Sequence, residues 1–203
     1  MFLPRIYPIT DVGLSGLSHG AQVEKMIEGG ARFMQLREKN SAPCDFFADA
    51  AKALEIARAR GAKIIINDRA DIALALKADG VHLGQDDLPP AAARKILGDK
   101  AIIGFSTHNL NQAVSAVAFP VDYIAVGPIF ATQTKENPDA LVGLETLKKI
   151  RAAVGSFPLV AIGGIKFENF LDVLNAGADS VAIIGDLLGA PDKIVEKLTE
   201  FNA

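Results

Sequence analysis

Several things are scarce in this chain, and each scarcity removes a class of function. Cysteine occurs once, as Cys44. One thiol makes neither an intramolecular disulfide nor a cysteine-rich zinc site, and it agrees with a reducing, cytoplasmic setting; its simplest role is that of a small residue near a helix start. Surplus positive charge is missing too: 21 Lys and Arg stand against 24 Asp and Glu, thinly spread over 203 residues. No footprint for nucleic acid is visible, and an anionic ligand must be met locally. No apolar run reaches the length needed to cross a bilayer, and residues 1–8 lack the charged and apolar regions of a signal peptide. No Ser, Gly or Pro tract marks a linker, so residues 1–203 read as a single domain with ample apolar sequence for one core.

What the chain has is alternation. Short β-favouring runs at 6–10, 33–38, 63–66, 81–83, 101–105, 122–126, 158–162 and 180–184 are each followed by turn residues and a helix-period segment. Helices are expected from Ala21 to a stop at Gly29-Gly30, over 45–60 ended by Gly61, over 72–76 and 90–97, through Val117, and over 144–154, 167–174 and 192–201. One further helical turn is expected at 185–189, while Asp11, Gly13, Ser15 and Gly16 read as a turn. Runs such as Ile64-Ile65-Ile66 and Leu159-Val160-Ala161-Ile162 are apolar at every position, as strands covered on both faces must be. Eight such units predict an α/β fold, a single-domain (β/α)8 TIM barrel; an open doubly wound sheet is the alternative. Three helix-to-strand joints, at 29–31, 78–80 and 176–179, look alike, which reflects a shared capping need.

In a barrel the active site lies at the C-terminal ends of the strands. There this sequence puts Gln35, Arg37 and Lys39, which strand alternation turns to one side, then Asn67 and Asp68, then Gln85, Asp86 and Asp87, then Ser106 and His108, and later Thr132, Thr134 and Lys135. Arg37, Lys39 and Lys135, with Gln35 and Asn67 as neutral donors, suit a polyanion, since each charged hydrogen bond contributes roughly 1.5–3 kcal/mol. A solvent-exposed strand end is the alternative. Gly163-Gly164 and Ile184-Gly185 after the last two strands suggest a second anion site, where a missing side chain lets a phosphate approach the backbone. Asp68 and Asp87 among these cations suit a divalent ion such as magnesium, or else cap the following helices or pair with Arg37 and Lys39. Asp86 reads as a cap, His82 as a satisfied interior histidine and His19 as a helix-start residue. No nucleophile and base pair of the serine or cysteine type emerges, so chemistry rests on positioning and charge.

Taken together, Ile9-Thr10-Asp11, Gln35-Leu36-Arg37-Glu38-Lys39, Asn67-Asp68-Arg69, the run from Val81 to Asp87, Gly104 to His108, Gly127-Pro128-Ile129-Phe130, Thr132-Gln133-Thr134-Lys135 and Ala161-Ile162-Gly163-Gly164-Ile165 resemble the thiamine phosphate synthase family nearly end to end. The resemblance implies an enzyme that joins 4-amino-5-hydroxymethyl-2-methylpyrimidine diphosphate to 4-methyl-5-(2-phosphooxyethyl)thiazole, giving thiamine phosphate and pyrophosphate by a dissociative, Mg2+-assisted route. It implies that Gln35, Arg37, Lys39, Asn67 and Lys135 hold the diphosphate, that Asp68 and Asp87 ligate magnesium, and that Ser106 lies near the reacting pyrimidine. Arg37, Lys39, Ser106 and Lys135 are then the catalytic set, and Thr132, Thr134, Gly164, Ile184 and Gly185 receive the thiazole phosphate. Its partners are these small molecules, with no nucleic acid and no membrane; a homo-oligomer is compatible with the sequence. Residues 130–141, long for a barrel connection, are a candidate to close over the substrates. Two rival readings are a thiazole tautomerase-like paralogue and a non-catalytic, thiamine phosphate-binding regulatory protein. One departure stands out: Asp186, beside the expected thiazole phosphate site, would repel a phosphate unless it points away or caps the turn.

Overall fold

The computed structural model describes residues 3–132, 134 and 139–203. Its strands are β1 (Ile6–Asp11), β2 (Phe33–Arg37), β3 (Lys63–Asn67), β4 (Gly80–Leu83), β5 (Ile102–Thr107), β6 (Tyr123–Val126), β7 (Leu159–Ile162) and β8 (Ser180–Ile183). They run parallel and in chain order around a closed barrel. Closure is made by β1 against β8, with Ile6 opposite Val181 and Pro8 opposite Ile183. That pairing excludes the open doubly wound alternative.

Between the strands lie α1 (Val12–Ser15), α2 (His19–Glu28), α3 (Pro43–Ala59), α4 (Ala70–Ala75), α5 (Pro90–Leu97), α6 (Leu110–Ala116), α7 (Gly143–Val154), α8 (Phe170–Asn175) and α9 (Gly185–Leu188); a 3-10 turn (Pro191–Lys193) leads into α10 (Ile194–Asn202). The stop signals act as expected: Gly30 and Gly61 take positive φ of 97° and 65°, a backbone that a side chain disfavours. Residues 11–16 depart from expectation. They form a single helical turn, because the Asp11 carboxylate accepts the Leu14 N–H at 3.1 Å and caps it. Helix α8 also begins at Phe170, later than the apolar spacing suggests.

Strand alternation separates two apolar layers. Met34, Leu36, Ile64, Ile66, Ile124 and Val126 point outward and pack under the helices. Tyr7, Ile9, Phe33, Ile65, Tyr123, Ala125, Val160 and Ala182 point inward and fill the barrel. Full burial of each large side chain contributes about 1.5–3 kcal/mol, so the interior is a packed plug that carries whatever sits on its upper end. Among the described residues no helix is long and apolar enough to cross a membrane.

Candidate active site

The C-terminal ends of the strands open into a cavity of about 1150 Å³. Gln35, Arg37, Lys39, Asn67, Asp68, Asp87, Ser106, Thr132, Thr134, Gly164, Ile184 and Gly185 all line it. Lys135 lies outside the described residues, as do Gln133 and 136–138 of the long connection. Alternation along β2 explains the first group: Met34 and Leu36 are buried under the helices while Gln35 and Arg37 face the cavity.

Each described cation of this group already has an acidic partner. Arg37 pairs through Nη1 with the Asp11 carboxylate of β1, and Lys39 pairs through Nζ with Asp68. Arg37 is mostly buried and Lys39 about half exposed, so the strand end is part of the cavity wall rather than a solvated tip. Asp68 adopts a positive φ of 61°, which non-glycine residues seldom accept.

Asp87 comes from the turn after β4. Its Oδ2 accepts the Gly84 N–H at 2.6 Å. Burial pushes the Asp87 carboxyl up and the adjoining Asp68 carboxylate pushes it further, against the lowering effects of the Gly84 N–H and the Lys39 ammonium. Helices α4 and α5 begin without a side-chain cap, at Arg69 and Pro89. Neither Asp68 nor Asp87 is therefore a helix cap, and the expectation that Asp86 caps α5 is corrected for the same reason: Pro89 and Pro90 already set the start of that helix. The pairing of Lys39 with an aspartate does occur, alongside the contact between the two acids.

Beneath these charges runs a chain of buried polar groups. Gln35 Nε2 donates to Tyr7 Oη at 3.1 Å, Tyr7 Oη lies 3.1 Å from Tyr123 Oη, Tyr123 Oη lies 3.0 Å from His82 Nδ1, and His82 Nε2 lies 2.8 Å from Ser106 Oγ. His82 is thus the satisfied interior histidine expected, though it also lines the cavity and contacts Ser106. Burial holds its imidazole neutral, with the pKa lowered to about 4. Gln85 Nε2 donates to the Ser106 carbonyl and fixes that strand end further. His19 opens α2 as expected, and it is buried: its Nδ1 lies 2.7 Å from Thr10 Oγ1.

Across the mouth, Gly163 and Gly164 have φ of 100° and 64°. A Cβ on Gly164 would stand 2.5 Å from the Ala131 carbonyl, and one on Gly163 2.5 Å from Pro128 Cβ. Close packing of two loops is thus one reason for both glycines, alongside the open approach to the backbone that a ligand would use. Ile184 precedes α9 and Gly185 opens it. Asp186 lines the cavity with its carboxylate already bonded: its Oδ2 accepts the Phe167 N–H at 3.3 Å and its Oδ1 lies 3.3 Å from Lys197 Nζ.

Sequence reasoning missed Tyr7 and Tyr123, and it missed Asp11 as the partner of Arg37. The available signal was a phenol at an inward strand position, where a buried hydroxyl requires a partner. Among the described residues no group of three or more His, Cys, Asp or Glu is arranged to hold a metal by itself.

Comparisons with known proteins agree on one family. A sequence model described as thiamine monophosphate synthase matches residues 6–187. A thiamine-phosphate synthase of Chloroflexus aurantiacus is 48% identical over 93% of this chain and 87% of its own length. Another, of Koribacter versatilis, is 44% identical over 93% and 91%. The solved thiamine phosphate pyrophosphorylase from Pyrococcus furiosus superposes with a TM-score of 0.87 at 34% identity, covering 98% of this chain and 93% of that one.

Proposed function

The chain belongs to the thiamine monophosphate synthase family, and on that premise we propose that it transfers the 4-amino-2-methylpyrimidin-5-ylmethyl group from its diphosphate to the nitrogen of 4-methyl-5-(2-phosphooxyethyl)thiazole. The supporting observation is the juxtaposition, in one cavity, of Arg37 and Lys39 with the Asp68–Asp87 pair, opposite the turns at Gly164 and Gly185. Cations beside two mutually repelling carboxylates suit a leaving group that is a polyanion and carries a divalent cation.

In this reading Arg37, Lys39, Asn67, Gln35 and Lys135 hold the diphosphate, and Thr132, Thr134, Gly164, Ile184 and Gly185 hold the thiazole phosphate. The methylene carbon–oxygen bond breaks with both electrons leaving on pyrophosphate. The ring stabilises the resulting cation, and the thiazole nitrogen closes the new carbon–nitrogen bond with a lone pair it already holds. No proton must leave that nitrogen, so a strong general base is not required. Arg37, Lys39 and Lys135 then act where negative charge grows, a role commonly worth several kcal/mol.

Asp68 and Asp87 would hold magnesium. The fit is in the donor set: two hard carboxylate groups in contact, with the Asp87 carboxyl pushed up first by burial and then by Asp68, are what magnesium accepts when substrate phosphate and water complete its shell. When bound it supplies charge neutralisation on the departing diphosphate. The tautomerase and silent-binder readings are not favoured by relatives that carry the synthase name over nearly their whole length. We place the reaction in the cytoplasm, with small molecules as its partners.

The decisive experiment supplies purified protein with both substrates and magnesium and follows thiamine phosphate as its fluorescent thiochrome derivative. Steady formation that stops with a chelator and resumes with magnesium is expected. Absence of product at any magnesium concentration would overturn the reading.

A further inference from the structure

We propose that Tyr7, Tyr123 and His82 form a one-way hydrogen-bond chain through the barrel interior that makes Ser106 a donor and Gln35 an acceptor towards the cavity, so that the site selects a 4-aminopyrimidine edge. The assignment rests on the reading that a pyrimidine sits beside Ser106. It deepens that reading by naming positioning residues that set ring specificity without touching the ring, and it moves Gln35 from the diphosphate to the ring.

The direction follows from counting protons. Gln35 presents its amide N–H to Tyr7 Oη, so the Tyr7 hydroxyl proton is free to go on to Tyr123 Oη, 3.1 Å away. Tyr123 then donates to His82 Nδ1 at 3.0 Å. A neutral imidazole has one N–H, and with Nδ1 accepting, that proton is on Nε2. It donates to Ser106 Oγ at 2.8 Å. The hydroxyl proton of Ser106 is left for the cavity that Ser106 lines, and Gln35, which lines the same cavity, is left with Oε1 as its acceptor.

With the Gln35 amide turned as it is, Nε2 towards Tyr7, the reverse direction fails at its far end. If His82 donated from Nδ1 to Tyr123, and Tyr123 to Tyr7, the Tyr7 proton would meet an amide N–H that already donates to the same oxygen. A buried hydroxyl proton without an acceptor disfavours that direction roughly tenfold or more. Burial supports both premises, since it holds His82 neutral and raises the two phenols so that they stay protonated. The chain is also built in sterically: a Cβ at position 104 would lie 2.1 Å from Tyr123 Cζ and 2.4 Å from His82 Nδ1, so only glycine lets these two rings meet.

A 4-aminopyrimidine offers an acceptor at the ring nitrogen beside C4 and a donor at the exocyclic amine. Ser106 donating and Gln35 accepting complement that edge. The 4-oxo counterpart carries the reverse, an N–H in the ring and a carbonyl at C4: its carbonyl meets Gln35 Oε1, acceptor against acceptor, and its N–H finds only the one lone pair that His82 leaves on Ser106 Oγ, with the hydroxyl proton then turned away from the edge.

The test is calorimetric binding, with magnesium, of the diphosphates of 4-amino- and 4-oxo-5-hydroxymethyl-2-methylpyrimidine. Because both carry the same diphosphate, their ratio isolates the ring. The unaltered protein is expected to prefer the amino compound by roughly 10- to 100-fold. Tyr123→Phe removes the central hydroxyl, frees His82 to carry its proton on either nitrogen, and is expected to bring the ratio within about threefold. A merely structural role would weaken both compounds, and inorganic pyrophosphate, together. If Tyr123→Phe does not fold, nitrogen-15 spectra of the unaltered protein decide, with His82 expected as the Nε2–H tautomer. An Nδ1–H tautomer, equal affinity for the two compounds, or an unchanged ratio in Tyr123→Phe would each overturn the proposal. Loss of coupling with the ratio intact would instead sink the reaction assigned above and leave this specificity standing.

Discussion

The two ends of the barrel handle charge in opposite ways. At the N-terminal end, Asp79, Asp122 and Asp179 each stand just before an even-numbered strand and reach back to the preceding odd one. Their Oδ2 atoms accept the N–H of Ile64, Ile103 and Leu159, each at 2.8 Å. Arg94 bonds Asp122 at 2.8 Å and the Ala101 carbonyl at 2.6 Å, Arg151 bonds Asp179 and the Gly177 carbonyl, both at 2.6 Å, and Arg58 caps the carbonyls of Leu76 and Lys77 at 2.7 Å. Each of these six side chains ends on an internal partner. At the C-terminal end, Asp68 and Asp87 face one another and burial raises the Asp87 carboxyl. One end is saturated by the fold itself. The other keeps two acids crowded together beside cations that are themselves paired, which fits the substrate charges proposed above and the way this architecture divides stability from chemistry.

The sharpest way to break the comparison is to neutralise one acid at each end. Asp87→Asn keeps an acceptor for the Gly84 N–H and removes a repelling charge, so turnover should fall by about 10³-fold or more while the denaturation midpoint stays level or rises. Lys135→Ala comes next. If its charge meets the leaving diphosphate, single-turnover coupling should slow roughly 100-fold with little change in thiazole phosphate affinity; a change in that affinity alone would move Lys135 to the other anion site. Asp122→Ala should do the reverse of both. It strands the Ile103 N–H and the Arg94 guanidinium, so it should cost about 2–3 kcal/mol, or about 5–10 °C in Tm, and leave kcat intact at a permissive temperature. Equal stability losses at Asp87 and Asp122, with equal activity, would erase the distinction.

How much of this was legible beforehand follows from the range of the interactions. Ile64-Ile65-Ile66 announced a strand buried on both faces, and Gly61 announced the end of α3, because each signal is local. The rim residues were legible because strand ends can be counted along the chain. Asp79 and Asp179 were noticed only as parts of similar joints; that each caps the neighbouring strand required the register. The Tyr7–Tyr123 bond joins residues 116 positions apart and the His82–Tyr123 bond residues 41 apart, and no periodicity in one sequence reports such a meeting. The turn α1 was missed for a different reason: Gly13 and Gly16 signal a turn, while the Asp11 carboxylate that makes it helical is equally at home in either.

His82 gives the comparison a pH dependence. It lies on the functional side, yet its burial is a stability term. With the folded pKa near 4 against 6.5 for the free side chain, the unfolded chain takes up a proton below pH 6.5 that the native protein refuses. Stability is therefore lost as pH falls from 6.5 towards 4, and the loss levels off below that. At pH 5 it should be about 2 kcal/mol. Denaturation of the unaltered protein and of His82→Gln at pH 7.5 and pH 5 isolates it: the variant should show a shallower decline, and parallel declines would mean that His82 is charged in the folded state.

The smallest expected effect tests the part of the upper rim where the two kinds of behaviour meet. Asp186 lines the cavity, but like the acids of the lower end it has internal partners, the Phe167 N–H and Lys197 of α10. Lys197 also donates to the Asp186 carbonyl, so one ammonium both holds the turn and offsets the carboxylate. Lys197→Met removes that offset without touching the catalytic cations. If the thiazole phosphate sits by Gly164 and Gly185, its KM should rise about three- to fivefold at low ionic strength, kcat should hold, and the difference should fade as salt screens the carboxylate. A KM that is unmoved in low salt would mean that Asp186 does not face the phosphate, and would shift the thiazole phosphate away from α9 and towards Thr132 and Thr134.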